Sequence, residues 1–327
     1  METILLRALA VLLLAVAAEP REDSALEKDA VAESRLCCAQ DWLGPVRLDM
    51  AQSSVDDQYA GCHRKMLQEV TRPGGLLHRE RNMNAELNVA WNSAIYTHYI
   101  PGATVEHARA LRVYTMERPP VYRSFNAATR SQGGSRHLYR LRYRYKALHF
   151  LLTDALRLLK RLQGPGCRAV YRGTRLRFQV TPNGYIRFGS FTSTSARPRV
   201  AKRFGQTTFF RITTCYGADI SAFSAFASEQ EVLIPPFEMF AVKSVWKTAA
   251  GKTVVLVSSG TFSNLKCSFF TRGREGRRLT GSLPEDWAGP SGVEKEEDSL
   301  TRWEVLPHSW ELDPREPERS RINGVVG

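Results

Sequence analysis

Three short stretches in the second half of this 327-residue chain carry side chains that could do chemistry together. They are Val170-Tyr-Arg-Gly173, Phe191-Thr-Ser-Thr-Ser195 and Glu229-Gln-Glu231, the last leading into Val232-Leu-Ile-Pro-Pro236. A carboxylate beside a sugar stabilises the positive charge that develops when a glycosidic bond breaks, and Glu231 is the candidate. Arginine presents a planar fork that matches phosphate oxygens, which suits Arg172 to holding a phosphorylated ligand. Ser193 could orient the glutamate or the sugar through its hydroxyl, with Ser195 read as structural. In extended chain residues i and i+2 share a face, so Glu229 and Glu231 would look into one cleft while Gln230 faces away. A second carboxylate there can pair with an incoming cation and assist loss of its proton. Taken singly, an exposed arginine, alternating serines and two nearby acids are ordinary surface composition. It is their occurrence together, in this order, that carries weight.

The elements that must position them divide into two textures. Helical spacing begins near Asp56-Asp57, where two acids suit the positive end of a helix dipole. It continues through Leu87, Val89, Trp91 and Ile95, then Val105 to Val113, and is strongest from Leu138 to Leu162, stopped by Gly164-Pro165-Gly166. From Arg168 onward short β-branched and aromatic runs read as strands: Ala169–Tyr171, Leu176–Val180, Thr207–Thr214, Glu231–Ile234, Met239–Trp246 and Thr253–Val257. Helices first and strands afterwards predict an α+β domain, a mainly helical N-terminal half packed on a strand-rich core of two small sheets enclosing a cleft. The expected domain covers residues 50–271, helical over 56–163 and strand-rich over 168–271. Beyond it, residues 272–327 lose periodicity and read as a flexible tail.

At the other end, residues 1–18 read as a secretory signal: Arg7, an apolar run from Ala8 to Ala17, and small residues for cleavage. The run is short for a bilayer span and turns polar at Glu19-Pro20-Arg21, the start of a polar segment over 19–49. The last residues, Arg321 to Gly327, are not the hydrophobic tail of a glycolipid-anchor signal, so a secreted, extracellular protein without a membrane anchor is expected. Six cysteines beyond the leader favour disulfides in an oxidising compartment. The net charge is +13; the tail has nine basic against twelve acidic residues, which leaves +16 on everything before it. Such charge could attract acidic partners, but it reads equally as a solvated helical face, and no nucleic-acid partner is expected. The seven histidines show no paired metal spacing, so no metal site is expected. No glycine-rich phosphate loop or dinucleotide fingerprint is present.

The Arg172, Ser193-Thr-Ser195 and Glu229-Gln-Glu231 pattern resembles that of the arginine-specific mono-ADP-ribosyltransferases. The resemblance also takes in Ser54–Cys62, Tyr122-Arg-Ser-Phe-Asn126, Gly133–Arg136, Tyr145–Phe150, Phe209–Cys215 and Ser221–Phe226, ending near Phe270. It implies that NAD, or NADP, is consumed as a substrate with no permanently bound cofactor, and that ADP-ribose passes to arginine side chains of extracellular or secretory-pathway proteins. It implies Glu231 at the nicotinamide ribose, Arg172 at the NAD phosphates, Ser193 as orienting hydroxyl, and Glu229 as the residue that favours arginine over water. Tyr114, Ser190 and Ser224 line up with further NAD contacts, although Tyr114 and Ser224 also read as packing residues. Ser190 departs from the pattern, since Gly189-Ser-Phe191 stands where relatives have Gly-Gln-Phe. The resemblance further implies disulfides Cys62 to Cys267 and Cys167 to Cys215, leaving Cys37 and Cys38 unplaced. Two alternatives remain: an NAD glycohydrolase, using water as acceptor with the same Arg172, Ser193 and Glu231, and a catalytically inactive secreted basic binding protein.

Overall fold

A computed structural model describes residues 45–96 and 98–270. The expected signal at 1–18, most of the polar segment, Cys37, Cys38 and the tail at 272–327 lie outside the described residues. The helical half comprises α1 (His63–Thr71), α2 (Leu76–Met83), α3 (Ala85–Ser93), α4 (Val105–Thr115), α5 (Val121–Ser131), α6 (Arg136–Arg142) and α7 (Lys146–Gln163). One short helix, α8 (Pro198–Arg203), falls among the strands. The strands are β1 (Val46–Arg47), β2 (Arg168–Thr174), β3 (Phe178–Gln179), β4 (Tyr185–Ile186), β5 (Thr192–Ser195), β6 (Thr208–Thr214), β7 (Ala218–Asp219), β8 (Glu231–Ile234), β9 (Glu238–Thr248) and β10 (Gly251–Thr261). The α+β class and the helix-then-strand order are as the sequence implies.

Helix α7 organises the first half. Its apolar stripe Leu148, Leu151, Leu152, Ala155, Leu156 and Leu159 is buried, each leucine contributing about 1.5–3 kcal/mol of transfer free energy. The strong periodicity over 138–162 is nonetheless two helices, broken after Arg142. Two features make the break. Tyr143 turns inward to hydrogen bond Thr129 Oγ1 at 2.8 Å, and buried Glu80 accepts from the Lys146 and Ala147 amides, both at 2.9 Å, capping a new N-terminus. Gly164, at φ 93°, ends α7.

Asp56 and Asp57 do not open a helix; the first helix begins at His63. Both are buried acceptors. Asp56 pairs with Arg187 Nη1 at 2.7 Å and takes the amides of Asn264 (2.9 Å) and Leu265 (3.0 Å). Asp57 takes those of Tyr59 (2.8 Å), Cys267 (3.1 Å) and Ser268 (2.9 Å). They therefore fasten the segment after β10 to the start of the domain, beside the disulfide Cys62–Cys267. The second disulfide, Cys167–Cys215, joins the residue before β2 to the residue after β6.

The larger sheet has the order β4-β9-β10-β6-β2-β5-β8-β7, and β1 pairs with β3 apart from it. β2 meets β5 through one residue pair, Tyr171 with Ser195. The ladder thus divides into a five-stranded and a three-stranded half that separate along most of that seam. Two cores result, and β8 contributes to both, Leu233 to the first and Val232 and Ile234 to the second. Phe191, Ala218, Ile220 and Leu233 pack with the helices, while Val170, Phe210, Ile212, Phe240, Val254 and Leu256 form a second cluster.

Candidate active site

The seam between β2 and β5 is where the candidate residues gather. Past the single Tyr171–Ser195 pair, the Arg172 side chain takes over from the ladder: its Nη1 donates to the Ser193 carbonyl at 2.7 Å. The following residue must be glycine, because a β-carbon on Gly173 would lie 2.2 Å from the Ala201 carbonyl oxygen and 2.3 Å from that of Gly205. On β5 the Thr194 hydroxyl donates to the Val232 carbonyl at 2.6 Å, and Ser195 lies opposite Glu231 across the pair with β8. Ser195 Oγ donates to the Glu229 carbonyl at 2.6 Å and accepts from the Arg197 amide at 3.0 Å, which makes it a brace for the acidic turn.

Glu229 and Glu231 are not neighbours on one strand face as the sequence expectation had it. Glu229 ends a 3₁₀ turn over Ala227–Glu229, Gln230 sits in the left-handed region at φ 46°, and only Glu231 belongs to β8. Serine, phenylalanine and alanine before Glu229 carry no strand alternation, so a turn, and not period two, sets the relation of the two carboxylates.

Glu231 is 5% exposed. Burial raises its pKa to about 7, the Ser193 hydroxyl opposes that, the Glu229 charge adds to it, and Ser224 and Arg172 pull back toward the charged form. Ser224 Oγ donates to Glu231 Oε2 at 3.2 Å. The half-buried Glu229 is also raised, by desolvation and then by the charge of Glu117. Desolvation lowers Arg172 from its ordinary value.

Tyr114 reaches in from α4, fully buried, donating to the Phe191 carbonyl at 3.1 Å and accepting from Asn126 Nδ2 at 3.1 Å. Burial pushes its phenol up to about 12, so it stays a neutral donor. Buried Ser190 accepts from Arg130 Nη1 at 2.9 Å. The structure therefore brings Arg172, Ser193, Glu229, Glu231, Tyr114 and Ser224 to one place, with Ser190 beside them through Arg130.

Sequence reasoning missed Asn126 and Arg130. They lie four apart on α5 and so on one helix face, a spacing that could have flagged them. Asn126 Oδ1 is buried with no hydrogen-bond partner among the described residues, and Arg130 electrostatically opposes Arg172. Two guanidiniums within electrostatic reach of each other suit a ligand carrying more than one negative charge. A cavity of about 680 Å³ opens beside Arg130, bordered by residues 47–53 and Thr181, Gly184, Tyr185 and Ile186.

A split sheet with an arginine and a serine at the seam, and a buried glutamate preceded by a second acid, can hold an anionic ligand beside a carboxylate able to stabilise a sugar cation. The comparisons make the class specific. The model of the NAD:arginine ADP-ribosyltransferase family matches residues 48–264, and the chain belongs to that family. It is 38% identical over 290 residues to mouse ecto-ADP-ribosyltransferase 5, covering 84% of this chain and 90% of that one. With mouse GPI-linked NAD(P)(+)–arginine ADP-ribosyltransferase 1 it shares 39% over 240 residues, 68% of this chain and 73% of the relative. Among solved structures, a mutant of the eukaryotic mono-ADP-ribosyltransferase ART2.2 in complex with NAD superposes with a TM-score of 0.58 at 35% identity, covering 68% of this chain and 99% of that one.

Proposed function

We propose that this chain transfers ADP-ribose from NAD to arginine side chains of proteins and releases nicotinamide. The observation that carries the proposal is Glu231, a buried carboxylate held near neutrality beside Arg172 and two serine hydroxyls, with a second acid one residue removed. In its ionised form Glu231 stabilises the oxocarbenium-like ribose as the bond to nicotinamide breaks, and holds the sugar through a hydroxyl. Arg172, with Arg130, holds the pyrophosphate. Ser193 orients Glu231, while Tyr114, Ser190 and Ser224 line the NAD site. Glu229 pairs with the acceptor guanidinium and takes its proton as the new bond to ribose forms. The relatives' NAD(P) names support NADP as a second donor.

The catalytic unit spans residues 50–271, following a leader at 1–18 and a polar segment at 19–49, with 272–327 as a tail. An extracellular site of action is supported by relatives called ecto or GPI-linked. Release of the leader is supported by its apolar run, which is too short to serve as a bilayer span. Recovery of the expressed chain from medium, with none released from cells by a GPI-cleaving phospholipase, is the outcome expected.

The activity is tested by incubating the chain with labelled NAD and agmatine, following ADP-ribosyl-agmatine and free ADP-ribose, with Glu229→Gln and Glu231→Gln alongside. Agmatine product should vanish in both variants, and NAD hydrolysis should survive in Glu229→Gln alone. Hydrolysis with no agmatine product from the native chain would make it a glycohydrolase, and neither product would leave a binding protein.

A further inference from the structure

The segment that leads into the acidic turn is irregular and bonded largely to itself. Between Ser221 and Glu229, the amides of Phe223 and Ser224 go to the Ile220 carbonyl at 2.8 and 2.9 Å, and the Glu229 amide goes to the Phe226 carbonyl at 3.0 Å. Hydrogen bonds anchor it from outside at both ends. At the far end Ser195 Oγ holds the Glu229 carbonyl, and at the near end the last turn of α4 takes hold. Arg112 Nη1 donates to the Ser224 carbonyl at 2.7 Å, and the Ala225 amide donates to Thr115 Oγ1 at 2.8 Å. Both bonds fall on the backbone of two consecutive residues, so they set the path of the chain whatever its side chains do. The Thr115 hydroxyl is buried and turns its own proton back to α4, toward the Leu111 and Arg112 carbonyls at 3.1 and 3.0 Å. From the same turn Tyr114 reaches the carbonyl of Phe191, the residue before β5. One turn of helix thus docks both the approach to β5 and the entry to the acidic turn.

We propose that Arg112 and Thr115 are positioning residues for the acceptor step: they hold Ser224 and Ala225 so that the turn presents Glu229 to the incoming guanidinium. The inference rests on the arginine-transfer reading above. Glu231 is fixed independently, since it lies in β8 and pairs with Ser195 across β5. Glu229 lies in the turn, outside the strand ladder. Releasing the clamp displaces Glu229 and leaves Glu231 in place. Water can then still take the ribose, while the guanidinium loses the carboxylate that accepts its proton.

Arg112→Ala and Thr115→Val, the second of nearly the same shape, test this in the full chain with labelled NAD and agmatine. In each, kcat for ADP-ribosyl-agmatine should fall about threefold to tenfold, while the KM for NAD and the free ADP-ribose formed without agmatine stay within about twofold. Arg112→Lys and Thr115→Ser keep a donor and an acceptor at those places and should recover most of the loss. The double variant should lose less than the product of the two single losses, as one clamp removed twice would. Should Arg112→Ala fail to fold, Thr115→Val and Thr115→Ser decide alone. Equal loss of transfer and hydrolysis, with a lowered Tm, would make the two residues merely structural and overturn the proposal. Transfer within about twofold of native in either variant would overturn it as well, since the turn would then stand without α4. No ADP-ribosyl-agmatine from the native chain would instead remove the reading on which the inference rests.

Discussion

Two pairs of acids organise this molecule, and they are treated in opposite ways. Asp56 and Asp57 are buried and saturated, with one guanidinium and five backbone amides shared between them. Glu231 is equally buried, yet its carboxylate oxygens have hydroxyl donors and a like-charged neighbour in Glu229. Charge-assisted hydrogen bonds offset the desolvation of the first pair, so its carboxylates serve folding. The second pair is left under-compensated, which costs stability and keeps a proton affinity near neutrality available for chemistry. Their carboxylate chemistry does not distinguish them; what surrounds each does.

The sharpest way to break the comparison is Asp56→Asn. Arg187, which has no exposed surface, would lose its counter-ion while keeping its carbonyl acceptors Met50, Ala51 and Phe262. Urea unfolding should show a loss of about 3–5 kcal/mol. A loss under 1 kcal/mol would mean that the carbonyls alone hold the guanidinium.

Glu231→Gln should act in the other direction on stability. The native pKa of Glu231 lies above its unfolded value, so between about 4.5 and 7 the native state binds the extra proton and stability falls as pH rises through that window. Removing the charge should therefore stabilise the fold at pH 8, by about 3 kcal/mol at most, and do little at pH 4. Transfer should fall by about 10² to 10³ in kcat, as for loss of one preorganised charge-stabilising group. A variant destabilised at pH 8 would place Glu231 with the structural pair. In the native chain, kcat/KM should rise with pH to a plateau above about 7, as Glu231 ionises.

How much of this was legible in the sequence follows the same division. Arg172, Ser193, Glu229 and Glu231 stand out because their types and order are distinctive, and the helix-then-strand texture implies the class of fold. Disulfide partners came from resemblance, not from spacing. Asp56-Asp57 read as a helix start because an acid pair before an apolar run looks the same whether it caps a helix or binds amides two hundred residues away. The break at Tyr143 was hidden because its apolar spacing continues through it, and the cap on α7 comes from Glu80, distant in sequence. The β2–β5 seam was invisible for a related reason: local pattern predicts strands, while pairing depends on the whole sheet. Arg130 and Asn126 carried the faint signal of helical spacing, and only the fold gives that face a destination.

The smallest expected effect discriminates most finely within the functional pair. Ser224 Oγ donates to Glu231 Oε2 and accepts from the Phe226 amide, so it links the protonation of Glu231 to the turn that carries Glu229. Ser195 Oγ grips the same turn from the other side through the Glu229 carbonyl. Ser224→Ala removes a donor that favours the charged carboxylate, which should move the acid limb of the pH profile upward by about 0.5–1 unit, the equivalent of one hydrogen bond. Ser195→Ala touches no carboxylate and should leave that limb in place while weakening arginine transfer relative to NAD hydrolysis, because Glu229 loses its brace and Glu231 does not. If both variants moved the limb equally, the turn would act as one rigid unit and the two glutamates could not be tuned apart.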